Sequence, residues 1–287
     1  MPVPFPPGLL SYLQAGGGDL CRVLRIERRT GEVDLWTDHD ADIELGGETY
    51  LAQRGFNVSG LEYRTDGSVS GGDLEALISI DGVTREQLLG GVLDGARVTL
   101  SVVVWSNPSL GAGVLSFGWI GQADESGTGR MTLELRGLAQ ALEHQIVPIV
   151  TQACPARFVS QPGEEPRPCR VDAALHTVSV SVVSATRDVV TVSGADGAAT
   201  YVGGRLTFTS GVLSGVRTGV RSADADTGAL TLYVPLPVAP GAGDTAELLA
   251  GCDKSIQTCR DRYNNVVNFR GQPFLQGRDY LTRIGSR

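Results

Sequence analysis

The chain has 287 residues, 41% of them hydrophobic and 20% charged, and a net charge of −8. That is the composition of a globular protein long enough to bury a core without disulfides, as one large domain or two. No run of about 18 apolar residues occurs, which excludes a membrane-spanning helix, and the 38 glycines with few aromatics favour short strands and turns over long helices.

The elements follow in chain order. No leader is expected from Met1-Pro2-Val3-Pro4, which lacks a basic and an apolar region. Pro6 to Gln14 predicts a short helix that ends at Gly16-Gly17-Gly18. Cys21 to Arg28 alternates as a strand and turns at Thr30-Gly31, with Cys21 as plain core. Val33 to Asp38, Asp42 to Leu45, Tyr50 to Gln53 and Gly60 to Tyr63 continue the series, with Gly46-Gly47 as a hairpin signal. Leu74 to Ile80 is a strand, and Thr84 to Gly90 a helix capped by Thr84 or Asp81. Ala96 to Trp105 is apolar on both faces and is predicted to be a central strand. Val114 to Gln122 pairs with Met131 to Arg136, and Leu138 to His144 is a short helix.

A domain boundary is placed near residue 150. Beyond it, five strands are predicted over 176–184, 189–193, 204–209, 216–222 and 229–233, joined by Gly-containing turns and ended by Pro235, Pro237 and Pro240. Their spacing suggests a small barrel or sandwich. The fold class is therefore mainly β: residues 1–150 form a β-rich domain with short helices, and residues 151–287 form a second domain with a small barrel inserted at about 175–248.

The charge is uneven. From Cys252 to Arg287 the chain carries +4, and the remainder carries −12. A basic tail on an acidic body can dock on an acidic neighbour or touch phosphates, or simply be solvated. Lys254 is the sole lysine among 24 basic residues. GC-rich coding produces such usage without selection, and no chemistry is assigned to it.

Cys154-x14-Cys169 and Cys252-x6-Cys259 flank the predicted barrel. Four thiolates suit zinc or an iron–sulfur cluster. Neither spacing is a tight zinc knuckle, and a cluster tolerates wider spacing than one ion. Two disulfides or unlinked thiols are equally compatible with the spacing, although a reducing cytosol favours metal. Pro155, Pro162, Pro166 and Pro168 keep the first pair in irregular loop, whose free N–H groups can point at cluster sulfurs. Arg157, Arg167, Arg170, Arg260 and Arg262 are candidates to offset the thiolate charge.

Other motifs carry less. Asp38-His39-Asp40-Ala41-Asp42 fails as a calcium loop, because Ile43 and Thr49 stand where Gly and Glu are required; a structural turn is expected. Asp224-Ala225-Asp226-Thr227-Gly228 reads as a hairpin turn. Only His39, His144 and His176 are present, and no hydrolase or nucleotide-binding motif occurs, so no enzyme is expected. Asn264, Asn265 and Asn268, with Tyr263 and Phe269, are assigned to a loop that folds over the cysteine site in preference to a binding surface.

Several segments together resemble a known family. They are Arg25-Ile26-Glu27-Arg28-Arg29-Thr30-Gly31, Trp36-Thr37-Asp38-His39-Asp40, Gly118-Trp119-Ile120-Gly121, Leu135-Arg136-Gly137-Leu138, Gly251-Cys252-Asp253-Lys254, Cys259-Arg260-Asp261-Arg262-Tyr263-Asn264-Asn265 and Asn268-Phe269-Arg270-Gly271 with Pro273. In this order they resemble the tail hub, or tail-tip, proteins of long-tailed bacteriophages and gene transfer agents. Related tail-tip proteins of lambda-like phages carry a 4Fe-4S cluster on four C-terminal cysteines. The resemblance therefore implies that Cys154, Cys169, Cys252 and Cys259 hold such a cluster, with zinc as the alternative.

It further implies a structural virion subunit, assembled in the host cytoplasm and placed at the tail tip. Its β-barrel-type hub domain would form a homotrimer between the distal tail protein ring and a central tip or fibre protein. DNA would pass through the lumen without sequence-specific binding, and an acidic wall would let phosphates slide. A zinc-stabilised module contacting the host envelope is the alternative, and a cysteine-cluster enzyme is less supported.

Overall fold

The computed structural model describes residues 5–52, 56–58, 71–77, 83–125, 130–137, 150–195 and 198–275. The chain divides into two compact units, Met1–His144 and Gln145–Arg287, and both are mainly β.

The first unit opens with α1 (Pro7–Gln14), whose proline at the first turn is compatible with a helix start. Leu9 is fully buried against Val102 and Val104. Nine strands follow: β1 (Leu20–Glu27), β2 (Val33–Thr37), β3 (Ile43–Leu45), β4 (Glu48–Tyr50), β5 (Phe56–Val58), β6 (Gly71–Leu77), β7 (Arg97–Val104), β8 (Gly113–Glu125) and β9 (Arg130–Arg136). Seven of them form one antiparallel sheet in the order β2-β1-β7-β8-β9-β6-β5. β7 is an interior strand, and Leu100, Ser101, Val103 and Val104 bury both of its faces. Trp105 lies just past its end and is 42% exposed.

β3 and β4 make a separate hairpin. Leu45 faces Glu48 across Gly46 and Gly47, both at positive φ (64° and 87°), the geometry of a two-residue hairpin turn. The second strand of this hairpin starts two residues earlier than expected and ends at Tyr50. Leu51 then hydrogen-bonds to Leu35 and Thr37 of β2. Cys21 packs with Val23, Ile43, Tyr50 and Val103 as ordinary core. The helix α2 (Arg85–Leu89) carries a reciprocal cap: Thr84 Oγ1 accepts from Gln87 N (3.2 Å), and Gln87 Oε1 accepts from Thr84 N (3.0 Å). The expected strand at 60–63, the end of that at 74–80 and the helix at 138–144 lie outside the described residues.

The second unit holds a closed barrel of six strands. They are β10 (Thr177–Ala185), β11 (Val189–Ser193), β12 (Arg205–Phe208), β13 (Arg217–Ala223), β14 (Ala229–Leu232) and β15 (Thr245–Leu249), in the order β10-β11-β14-β13-β12-β15 and back to β10. Val180, Val182, Val190, Leu206, Phe208, Val220, Leu230 and Leu248 are buried in it. At the β13–β14 hairpin Asp224 Oδ1 accepts from the backbone of Asp226 (2.9 Å), and Gly228 takes φ 68°. The sixth strand, β15, departs from the five expected. Pro235, Pro237 and Pro240 do not end the barrel; they lie in the crossing that leads to β15. The short helix α3 (Ile256–Asp261), also not expected, follows Ser255, whose hydroxyl accepts from Thr258 N at 3.1 Å. Among the described residues no helix is long and apolar enough to cross a membrane.

Two interactions in the first unit give measurable expectations. Arg28 and Asp34 form a two-pronged ion pair, Nε–Oδ2 2.6 Å and Nη2–Oδ1 2.8 Å, with side chains only 9% and 7% exposed. Asp34→Ala removes the two-pronged partner and leaves the buried guanidinium with Glu32 alone (Nη1–Oε2 2.8 Å), at an expected cost of about 2 kcal/mol. A Cβ on Gly118 would stand 2.1 Å from the Arg136 carbonyl oxygen of the adjoining strand. Gly118→Ala must therefore push β8 off β9, at a cost of about 3 kcal/mol. All three tryptophans, 36, 105 and 119, belong to this unit. Urea unfolding followed by tryptophan fluorescence reads both changes without interference from the second unit.

Candidate functional site

The barrel brings the cysteine pairs together. β10 and β15, its first and last strands, are neighbours in register from Thr177↔Leu249 to Ser181↔Thr245. Ala250 N extends the ladder to the His176 carbonyl at 2.9 Å. The loop that ends at Cys169 and the turn that begins at Cys252 therefore leave the barrel side by side. Cys154 N then donates to the Lys254 carbonyl at 2.9 Å.

The loop from Cys154 to Val171 is organised by Ser160, which is 1% exposed. Its hydroxyl accepts from Cys169 N (2.8 Å) and lies 2.7 Å from the Arg157 carbonyl, with the Glu165 carboxyl against it. Ser160 O accepts from Arg170 N (2.8 Å), and Gln161 Nε2 donates to Val171 O (2.9 Å). Few of these bonds belong to regular structure, so the loop's buried polar groups are satisfied by its own side chains.

Val159, Arg170, Lys254 and Asn264 have φ of 57°, 63°, 65° and 45°. Among the described residues these are the non-glycine positions with positive φ, and every one lies in the segments that carry the four cysteines. A β-branched valine in this region is a true outlier, and such strain gathers where a site over-determines its backbone.

Cys154, Cys169, Cys252 and Cys259 line a single pocket, about 320 Å³ including its mouth, with Phe158, Val171, Lys254, Tyr263 and Phe269 among its walls. Cys169 and Cys259 are buried, and Cys154 and Cys252 are half-buried. All five cysteines of the chain are free thiols, so the disulfide alternative is not realised. Among the described residues no three Cys, His, Asp or Glu side chains are grouped tightly enough to hold one metal ion as they stand. Burial, and then the neighbouring Cys169, Cys154 and Cys252, push the Cys259 thiol up to about 11. Burial also raises Cys252, and the backbone N–H and charge of Lys254 oppose it. Burial therefore opposes ionisation of Cys252 and Cys259, and a cation bound beside them would favour their thiolates.

The asparagine loop folds over the site. Asn265 Nδ2 donates to the Cys169 carbonyl at 2.7 Å and lies 3.7 Å from its Sγ; Asn268 Nδ2 donates to Asn265 Oδ1 at 2.7 Å. Tyr263 sits between Phe158 (ring centroids 4.8 Å apart) and the edge-on His176 (4.9 Å), and its hydroxyl donates to Gly251 O. Gly251 is confined: a Cβ there would lie 1.8 Å from Val202 O. Farther on, Gln272 N donates to Thr151 O and Gln152 Nε2 to Leu275 O, both at 2.8 Å, which fastens this segment beside Cys154.

Three of the five arginines suggested as partners for thiolates are engaged elsewhere, and two are exposed. Arg157 pairs with Glu164 (2.5 Å) and Arg260 with Asp261 (2.7 Å), while Arg262 Nη1 reaches the carbonyls of Thr200 and Gly251 (3.4 and 3.3 Å). Arg167 and Arg170 are exposed. The cation that lines the pocket is Lys254, whose Nζ donates to Ala156 O at 2.5 Å. Sequence reasoning passed over Lys254 and Ser160, although the single lysine two places after a cysteine was a visible signal.

The Asp38–Asp42 group is a structural turn. Asp38 accepts from Arg22 N and Nε (both 2.7 Å), Asp42 Oδ1 accepts from Ala52 N (2.8 Å), and the Asp40 side chain is 93% exposed.

Residues 6–172 match the family described as baseplate hub protein, N-terminal attachment domain. Residues 199–279 match a second, described as phage conserved hypothetical protein BR0599. No curated protein matches. Among solved structures, a chain of the virion of a native gene transfer agent particle is similar, with 28% identity and a TM-score of 0.77 over 96% of this chain and 94% of that one. The first family match spans more than half of the 287 residues, and the chain belongs to the phage baseplate hub family, a structural component of the virion.

Proposed function

We propose that the chain is the tail hub subunit of a long-tailed phage or gene transfer agent. It acts as a homotrimer that joins the distal tail protein ring to the central tip or fibre protein and lines the path by which DNA leaves. Cys154, Cys169, Cys252 and Cys259 hold a structural 4Fe-4S cluster that pins residues 252–275 to the barrel. The observation that carries this reading is the convergence of all four thiols on one pocket at the barrel seam, in a chain of the baseplate hub family.

Several features support a cluster over zinc. The four cysteines line one pocket from two widely spaced pairs, and an iron–sulfur core, wider than one ion, tolerates such spacing. The irregular loops and the Asn265 amide near Cys169 Sγ supply the donors that such a core attracts. When bound, the group supplies a rigid four-point crosslink; the chain's own residues supply the apolar walls, the amide donors and the tie between the two loops. The net charge of −8 fits a conduit that does not retain phosphates.

Anaerobic purification is expected to give a brown protein containing iron and acid-labile sulfide in equal amounts. A colourless protein with stoichiometric zinc would instead identify the zinc-stabilised module. Cys252→Ser and Cys259→Ser are each expected to lose the iron, to lower the unfolding temperature of the second unit and to abolish assembly of tails; infectious particles in normal number from either variant would sink the reading. Sedimentation should show a trimer, alone or with the neighbouring tail proteins, and a strict monomer under both conditions would remove the hub geometry.

A further inference from the structure

We propose that Lys254 is the clamp and counter-cation of the four-cysteine centre. This inference rests on the cluster reading above. Lys254 is the sole lysine of the chain, and it joins the two cysteine loops through both its main chain and its side chain. Its carbonyl accepts from Cys154 N at 2.9 Å, and its Nζ donates to Ala156 O at 2.5 Å. Two bonds from one residue thus tie the Cys252 turn to the Cys154 loop, on the far side of the whole barrel in sequence. The left-handed backbone of Lys254, φ 65°, accompanies this double reach.

Position and chemistry agree. Lys254 lines the pocket with all four cysteines. Arg157 and Arg260 are matched by carboxylates, and so add little net charge to the pocket. Lysine brings a compact charge with three donors, and the bond to Ala156 uses one of them. A core held by four thiolates is anionic, and a cation against it favours the more negative, reduced state over the oxidised one. Lys254 is therefore a positioning residue that also sets the potential of the centre.

The test compares the anaerobically purified full chain with Lys254→Met and Lys254→Arg. Methionine keeps an unbranched side chain and removes the charge; arginine keeps the charge. At the potential where the wild type is half reduced by dithionite, Lys254→Met should show a reduced-to-oxidised ratio about tenfold lower, a shift of about 59 mV for a one-electron couple. Lys254→Arg should recover most of that shift. A second measurement uses the absence of other lysines: acetylation read by peptide mass spectrometry should modify Lys254 at least tenfold faster after a chelator removes the iron.

A full cluster at unchanged potential in Lys254→Met overturns the inference and leaves the cluster standing. If Lys254→Met cannot hold a cluster, retention by Lys254→Arg supports the role of charge, and loss in both variants refutes it. A wild-type protein with neither iron nor sulfide overturns the cluster and this inference together.

Discussion

The second unit depends on one pairing, that of β10 with β15. A closed barrel leaves no free edge, and the strand that completes it must lie against the strand that began it. Here that places Leu249 opposite Thr177. Thiols separated by nearly the whole barrel in sequence then meet at one seam. The hydrophobic filling of the barrel, through Leu206, Phe208, Val220 and Leu248, sets this approach at a distance, and the bonds of Lys254 and Asn265 complete it locally. The close approach at Gly251, with no room for a side chain beside Val202 O, is a local consequence of the same closure.

Around that seam the chain combines strained backbone with buried thiols. Four non-glycine residues hold left-handed backbone. The buried Ser160 satisfies the main chain of an irregular loop, and burial with the neighbouring thiols raises the cost of ionising Cys259. The left-handed residues cost free energy, which the hydrogen bonds of Ser160 help to offset.

Much of the fold was legible because it depends on neighbours in sequence. Alternation located β1, an apolar run on both faces located β7, Gly46-Gly47 fixed the β3–β4 hairpin, Thr84 was one of the two caps expected for α2, and Cys21 was core as its strand pattern implied. β15 was not legible. Thr245-Ala246-Glu247-Leu248-Leu249 has weak intrinsic strand preference, and only the open flank between β10 and β12 makes it a strand. At the site, the four cysteines could be grouped by number and order, but their disposition about one pocket could not. Lys254 was conspicuous as the sole lysine, but its role, like that of Ser160, was not legible: both act through hydrogen bonds that cross loops, and one of these spans 98 positions. The five arginines drew attention by their nearness to the cysteines in sequence, but Arg157 and Arg260 pair with Glu164 and Asp261, and Arg262 reaches main-chain carbonyls.

The adjacency of residues 177 and 249 makes the stretch between them a cassette with its entrance beside its exit. Loops far from the seam, such as the Asp224–Gly228 hairpin, can lengthen, shorten or change sequence without altering the distance between the two ends. The barrel can thus be remodelled for a new neighbour while the sulfur-lined clasp beneath it stays the same.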